Sequence, residues 1–170
     1  ILLIPGKYDW KDPKHIVFAS NYSKSDKDAL HTLLSIARLF KSRVTVLHLR
    51  NTYLSAVEKE KAQADFDAYA FALQRDFNED KIKFSLLDTD SVTETMENLD
   101  KKMPYDIIGM VRRKKGFYEK FFIGSFTKNM AYITKQPLLI IPEQTTANGK
   151  NNKNGKEETL LMPHKSKLKI

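Results

Sequence analysis

The sequence predicts an α/β domain in which a parallel sheet is covered by helices on both faces. Three observations predict it. Short apolar runs rich in β-branched residues recur along the chain, at 16–20, 44–49, 82–87, 106–111 and 138–141. Between them lie longer segments whose apolar residues repeat at helical spacing. The strict alternation of the two calls for crossover connections, and those place helices on both sides of a parallel sheet.

The elements follow in order. Ile16-Val17-Phe18-Ala19-Ser20 is an apolar run ended by polar Asn21, Ser23 and Ser25, so it reads as a buried strand leading into a loop. Ser25 or Asp26 is placed to cap a helix over roughly 26–40, where Leu30, Leu33, Leu34, Ala37 and Phe40 share a face. Val44–Leu49 is the second strand. Leu54 to Phe77 is a long helix with Phe66, Tyr69, Leu73 and Phe77 on one broad side. Ile82–Leu87 is the third strand. Ser91 with Glu94 has capping-box spacing, and Val92, Met96 and Leu99 line one side of the short helix it begins. Asp106–Val111 is the fourth strand, Gly124-Ser125 opens a helix, and Leu138–Ile141 is the fifth strand.

Composition narrows the function classes. The chain has 170 residues, 41% of them hydrophobic, which suits one domain with a core. No apolar run approaches the roughly 20 residues that cross a bilayer, so no membrane association is expected and a cytoplasmic location suits the chain. With no cysteine, disulfides, thiolate metal sites and a thiol nucleophile are excluded. The formal charge of +8 is concentrated at Arg112–Lys115 and in the tail after Pro142, which holds six Lys against three Glu. Solvated surface accounts for this, an anionic ligand near Arg112–Lys115 is the sharper alternative, and nucleic acid is not expected because no DNA-binding motif is present.

Ile1-Leu2-Leu3-Ile4-Pro5 matches Leu138-Leu139-Ile140-Ile141-Pro142 at an offset of 137 positions. Residues 1–13 are therefore expected to be the end of a preceding repeat, or a linker, unless two short apolar runs agree by chance. Residues 14–143 form the domain and 144–170 a polar basic tail.

The segment from Asp106 to Pro142 resembles the signature of the universal stress protein family, a strand followed by G-x2-G-x9-G-[ST], a helix and a closing strand. Met110 precedes Gly124 by fourteen residues, Gly124-Ser125 matches the closing Gly-Ser/Thr, and Thr127 falls where the family often has Thr. Ile16–Ser23 and Val46-Leu47-His48-Leu49 are similar to the family's first and second strands. The aromatic loop is similar to that of tandem-domain members of the Bacteroidetes lineage. The resemblance implies an adenine nucleotide alpha hydrolase-like fold, with a five-stranded parallel sheet in the order 3-2-1-4-5. It also implies a ligand crevice between the ends of strands one and four.

The same resemblance exposes departures. Val111 and Lys114 occupy the first two motif-glycine positions, and Asn21 replaces the family's strand-one Asp. Valine resists the close backbone approach that a phosphate cradle uses. Two readings follow. In one, Ser20, Asn21, Lys114, Gly124, Ser125 and Thr127 bind ATP, AMP or another phosphate ligand in an altered pose. In the other, Gly124-Ser125 is a helix cap, the crevice is filled, and the domain uses no cofactor. The second is the main expectation, with a non-enzymatic role in stress response through homodimerisation, tandem-domain pairing or contact with a protein partner. The edge formed by Leu138, Leu139, Ile140 and Ile141 is the expected dimer surface, because an uncapped apolar edge needs a partner or a cover.

Other candidates are weaker. His48 on a buried strand reads as a core or sheet-end histidine, and His15, His31 and His164 lack metal-ligand spacing. Asp88 and Asp90 sit where a strand turns into a capped helix, and turn chemistry accounts for them. Phe117, Tyr118, Phe121 and Phe122 either cover the crevice or form a partner surface. No Ser-His-Asp arrangement surrounds a G-x-S-x-G elbow, and hydrolysis of nucleotides is the least favoured class.

Overall fold

The structure is a computed structural model, and it describes residues 1–77, 81–112 and 135–143. The elements are β1 (Leu2–Leu3), β2 (His15–Ala19), α1 (Lys24–Phe40), β3 (Arg43–Asn51), α2 (Ala56–Phe77), β4 (Ile82–Thr89), α3 (Val92–Glu97), α4 (Leu99–Lys102), β5 (Ile107–Arg112) and β6 (Leu138–Pro142).

Among the described residues these strands make one sheet of six, in the order β1-β6-β5-β2-β3-β4. The expectation of five strands, all parallel, is corrected here. β1 runs antiparallel to β6, pairing Leu2 with Leu139 and Leu3 with Leu138. The reason is the edge itself. β6 is apolar and would otherwise present a row of unpaired backbone groups, and a neighbouring strand of either direction satisfies them. The remaining pairs, β6·β5, β5·β2, β2·β3 and β3·β4, are parallel.

Alternation along each strand divides the core into two layers. Ile16, Phe18, Val44 and Val46 face α1 and α2, where Leu30, Leu33, Leu34, Ala37, Leu73 and Phe77 cover them. Val17, Leu47 and Ile108 face the other way, against Met96, Leu99 and Tyr105. Ile16, Val17 and Phe18 are fully buried, as expected of a central strand with helices on both sides.

Local chemistry sets the ends of the elements. α1 begins after Ser23, not at Ser25 or Asp26. Asp26 lies three residues into the helix, and its carboxylate turns back to accept from the Ser23 backbone N–H at 3.4 Å and from the Ser23 hydroxyl at 2.9 Å. At the other end Lys41 takes a left-handed conformation (φ 56°), and the Ser42 N–H closes the helix on the Ala37 carbonyl. Ser91 caps α3 as expected, its hydroxyl accepting from the Glu94 N–H. Asp106 ties the chain entering β2 to the one entering β5, accepting from the backbone N–H groups of Lys14 and His15 and pairing with Lys11. Burial would raise its pKa, but these donors outweigh burial and hold the carboxyl below its usual range.

Candidate functional site

The topology sets where a ligand would lie. From β2 the chain moves outward through β3 to β4, and it then returns to β5 on the other side of β2. Helices α1 and α2 pack on one face, and α3 and α4 on the opposite face. The crevice outside the carboxyl ends of β2 and β5 is thus the point where the winding reverses. Ala19 pairs with Met110 there, so Ser20-Asn21 leave β2 beside Val111-Arg112, the last residues of β5.

Ser20 is buried and fully engaged. Its N–H donates to the Leu47 carbonyl, its hydroxyl donates to Asp26 Oδ2 at 2.7 Å, and it accepts from the Tyr22 N–H at 3.2 Å. The Tyr69 hydroxyl lies 3.0 Å away. Asn21 is exposed, and its backbone N–H donates to Asp26 Oδ2 at 3.0 Å. Val111 pairs with Ile141 and packs half-buried against the α1 side of the core, while Arg112 is exposed. The structure therefore brings Ser20, Asn21 and Val111 to one end of the sheet. Lys114, Gly124, Ser125 and Thr127 lie outside the described residues, as do the aromatics Phe117, Tyr118, Phe121 and Phe122.

The structure adds residues that the sequence reading passed over. Asp26, only 1% exposed, gathers the Ser20 hydroxyl, the Asn21 N–H, and the N–H and hydroxyl of Ser23. One carboxylate at the first turn of α1 thus shapes the whole β2–α1 loop. The sequence offered Asp26 only as an alternative to Ser25 for the cap; the spacing Ser23-x-x-Asp26, with Ser23 as the cap, is the signal that would have found it. Tyr22 sits inside that loop with φ 67°, a region bulky residues rarely enter. Its ring stacks on His48, centroids 3.9 Å apart and planes at 24°, with Tyr69 at 4.8 Å and Phe66 at 6.2 Å. No sequence pattern brings residues 22, 48, 66 and 69 together.

His48 behaves as the sheet-end histidine the sequence suggested. Its Nδ1 lies 2.9 Å from the Ser20 carbonyl, so that nitrogen carries the proton. Burial lowers its pKa, against the opposing pull of the carbonyl. His15 is likewise a core histidine, donating from Nδ1 to the Pro104 carbonyl and accepting at Nε2 from the Thr45 hydroxyl at 2.8 Å. Burial lowers its pKa too, and with both nitrogens committed it is no metal ligand.

A separate polar groove of about 480 Å³ lies at the carboxyl end of β4, lined by Thr52, Asp88, Thr89, Ser91, Thr95 and Lys101 among others. Asp88 is held there by Arg50 in a two-pronged pair at 2.6 and 3.0 Å. The Ser91 N–H donates to the Thr89 hydroxyl, which makes the turn expected at this point. Among the described residues no group of three His, Asp or Glu is placed to hold a metal ion, and no helix is long and apolar enough to cross a membrane.

Comparison with known proteins sets this geometry in context. A family model described as the universal stress protein family matches residues 13–142. No curated protein matches the chain. Among solved structures, a universal stress protein from Archaeoglobus fulgidus is similar at 16% identity and TM-score 0.57, covering 74% of this chain and 91% of that one. A universal stress protein in complex with cAMP is similar at 15% identity and TM-score 0.54, covering 79% of this chain and all of the other. An Archaeoglobus fulgidus member in complex with dAMP is similar at 13% identity and TM-score 0.56, covering 76% and 98%. At such identities the likeness establishes the fold.

The two complexes overturn the expectation of a domain without a cofactor. Proteins of the same fold hold cAMP and dAMP. The expectation rested on side chains at Asn21, Val111 and Lys114. A ligand at a winding reversal is also held by strand-end backbone and helix termini, which such side-chain changes do not remove.

Proposed function

The chain belongs to the universal stress protein family, and from that premise we propose that it is a stress-response domain that binds an adenine nucleotide at the carboxyl ends of β2 and β5. The observation that carries the reading is the β2–α1 loop at the winding reversal. There a buried Asp26 holds the Ser20 hydroxyl and the backbone N–H groups of Asn21 and Ser23, next to the ends of β2 and β5. Groups held in place before the ligand arrives cost little ordering entropy on binding. The cAMP and dAMP complexes of two relatives support the choice of ligand class, and the family match over 13–142 supports 14–143 as the working unit. Of the candidate residues, Asn21 is the one on this loop that faces solvent. The hydroxyls of Ser20 and Ser23 are bonded to Asp26, and we assign the phosphate contacts to residues after Arg112: Lys114, Gly124, Ser125 and Thr127. We read the role as binding and not turnover, because His48, the histidine that meets the loop among the described residues, is stacked on Tyr22 and bonded to the Ser20 carbonyl.

Calorimetry with ATP, AMP and cyclic AMP tests this. At least one is expected to bind with Kd on the order of micromolar, about 8 kcal/mol. Binding should perturb the amide resonances of Asn21, Tyr22, Val111 and Arg112. Silence from all three nucleotides at millimolar concentration would sink the reading.

A second reading concerns association, and the β1–β6 pairing favours it. By the offset of the internal repeat, Leu2 corresponds to Leu139, and Leu139 is the residue Leu2 pairs with. Ile1 and Ile140 exchange backbone hydrogen bonds on one side of that pair, and Leu3 lies opposite Leu138 on the other. The contact therefore has the local twofold form of two like strands meeting. We read the β6 edge, Leu138–Ile141, as an association edge for a second such strand, in a homodimer or a tandem pair, with β1 holding the place. Leu3→Asp puts a charge against the apolar layer of Leu138 and Ile140 and should unseat β1. Light scattering should then show a larger dimer fraction than in the parent chain. An unchanged mass at high concentration would count against the edge.

A further inference from the structure

Tyr22 combines two unfavourable features in one residue. Its backbone has φ 67°, which a side chain with a Cβ resists. Its hydroxyl is buried and makes no hydrogen bond among the described residues. A tyrosine on an exposed loop has an obvious escape from both, which is to turn outward into water. It is held inward by flat contact, with the His48 ring 3.9 Å below it and Tyr69 4.8 Å away at a tilt. The walls of this slot are rigid. His48 is anchored through Nδ1 to the Ser20 carbonyl, and the Tyr69 hydroxyl lies against Ser20. The slot therefore holds a planar ring strongly enough to offset a strained backbone and an unsatisfied hydroxyl. Its occupant is also the residue next to Asn21, at the mouth of the crevice.

We propose that the space over His48 is a stacking slot for a flat heteroaromatic ring, and that Tyr22 is its displaceable internal occupant. A planar ligand ring enters as Tyr22 turns out, relieving the left-handed strain and returning the hydroxyl to water. The ring then stacks on His48 in its place, and stacking of this kind is tolerant of ring identity. The ligand class is a nucleobase or similar planar heterocycle. Tyr22 thereby sets affinity through competition for the slot and not through contact with the ligand. The idea rests on the adenine-nucleotide reading above, and adds where the base lies and what it displaces.

The test uses the full chain, with adenosine and AMP as probes and the His48 ring resonances as readout. Tyr22→Gly frees the backbone and empties the slot, and Tyr22→Asn does the same with a side chain that tolerates φ > 0. Either variant should bind adenosine about tenfold more tightly than the parent chain, with a ring-current shift at His48. Tyr22→Phe keeps the ring and removes the unsatisfied hydroxyl, so it should melt at higher temperature and bind several-fold more weakly. Opposite responses to Gly and Phe are the signature of competition. If AMP binds while His48 is unmoved in every variant, the slot is wrong and the nucleotide reading survives. If adenosine shifts His48 in Tyr22→Gly but the phosphate of AMP adds nothing, the slot stands and the phosphate site fails. Weaker binding on loss of the ring in both Tyr22→Gly and Tyr22→Asn would overturn the proposal, because Tyr22 would then be a wall of the site.

Discussion

Replacing Asp26 by Ala is expected to lower the unfolding free energy by about 3 kcal/mol and to reduce nucleotide binding to background. The carboxylate is 1% exposed and accepts from the Ser20 hydroxyl, the Asn21 N–H and both polar groups of Ser23. Alanine strands those donors where water reaches them poorly, and each unpaired one costs about 1–3 kcal/mol before relaxation. It also removes a negative charge from the first turn of α1, where the helix dipole favours one. Relaxation recovers part of the loss, because Asn21 is exposed and its N–H can turn to solvent. Asp26→Asn should fall between the two, since one of its two oxygens survives. Urea unfolding of the three proteins, followed by far-ultraviolet circular dichroism, gives the order. A loss below about 1 kcal/mol in Asp26→Ala would mean that the loop is held by something else.

Gly109→Ala should cost about 1–3 kcal/mol through a different mechanism. Gly109 lies in β5 under α1, and a Cβ placed there falls 2.5 Å from Leu33 Cδ1 and 3.5 Å from Phe18 Cδ2. Leu33 and Phe18 are themselves fully buried, so Leu33 has little room to retreat. At Gly109 the space a Cβ would take is filled by the end of the Leu33 side chain. Leu33→Ala alone leaves a cavity and costs about 2–5 kcal/mol. In the double variant the added methyl occupies part of that cavity, so the two losses should sum to less than their separate values. Strict additivity, or an unchanged urea midpoint in Gly109→Ala, would show that α1 sits farther from β5 than the structure places it.

These two residues also show how far the sequence could be read. Gly109 is one letter within an apolar run. Nothing in the run says that Leu33, 76 positions earlier in the chain, will press on it. Asp26 was visible as a capping residue, because capping is local and its spacing is short. That the same carboxylate also holds Ser20 and Asn21 depends on how β2 delivers the loop to α1. His48 was legible as a sheet-end histidine from its place in an apolar run. The stack it makes with Tyr22 was not, because the loop conformation that turns Tyr22 inward is left-handed at a residue for which that is unusual. The resemblance carried the family and pointed to Ser20, Asn21 and Val111. It led astray on the cofactor, because it weighed side chains where backbone also binds.

The alternation of apolar strands and amphipathic helices was enough to establish the α/β class and the two-layer core, since period and polarity are properties of neighbours along the chain. The spacing from Met110 to Gly124-Ser125 was enough to identify the family. Strand direction at the edge, the hub at Asp26, the close approach at Gly109 and the occupied slot over His48 all depend on which distant segments meet. Such contacts follow from how crossovers pack helices onto the sheet, and no stretch of residues carries them alone. The edge illustrates the division. The repeat of residues 1–5 at 138–142 is written in the chain, but its antiparallel closure on β6 follows from an unpaired row of backbone groups that has to be met.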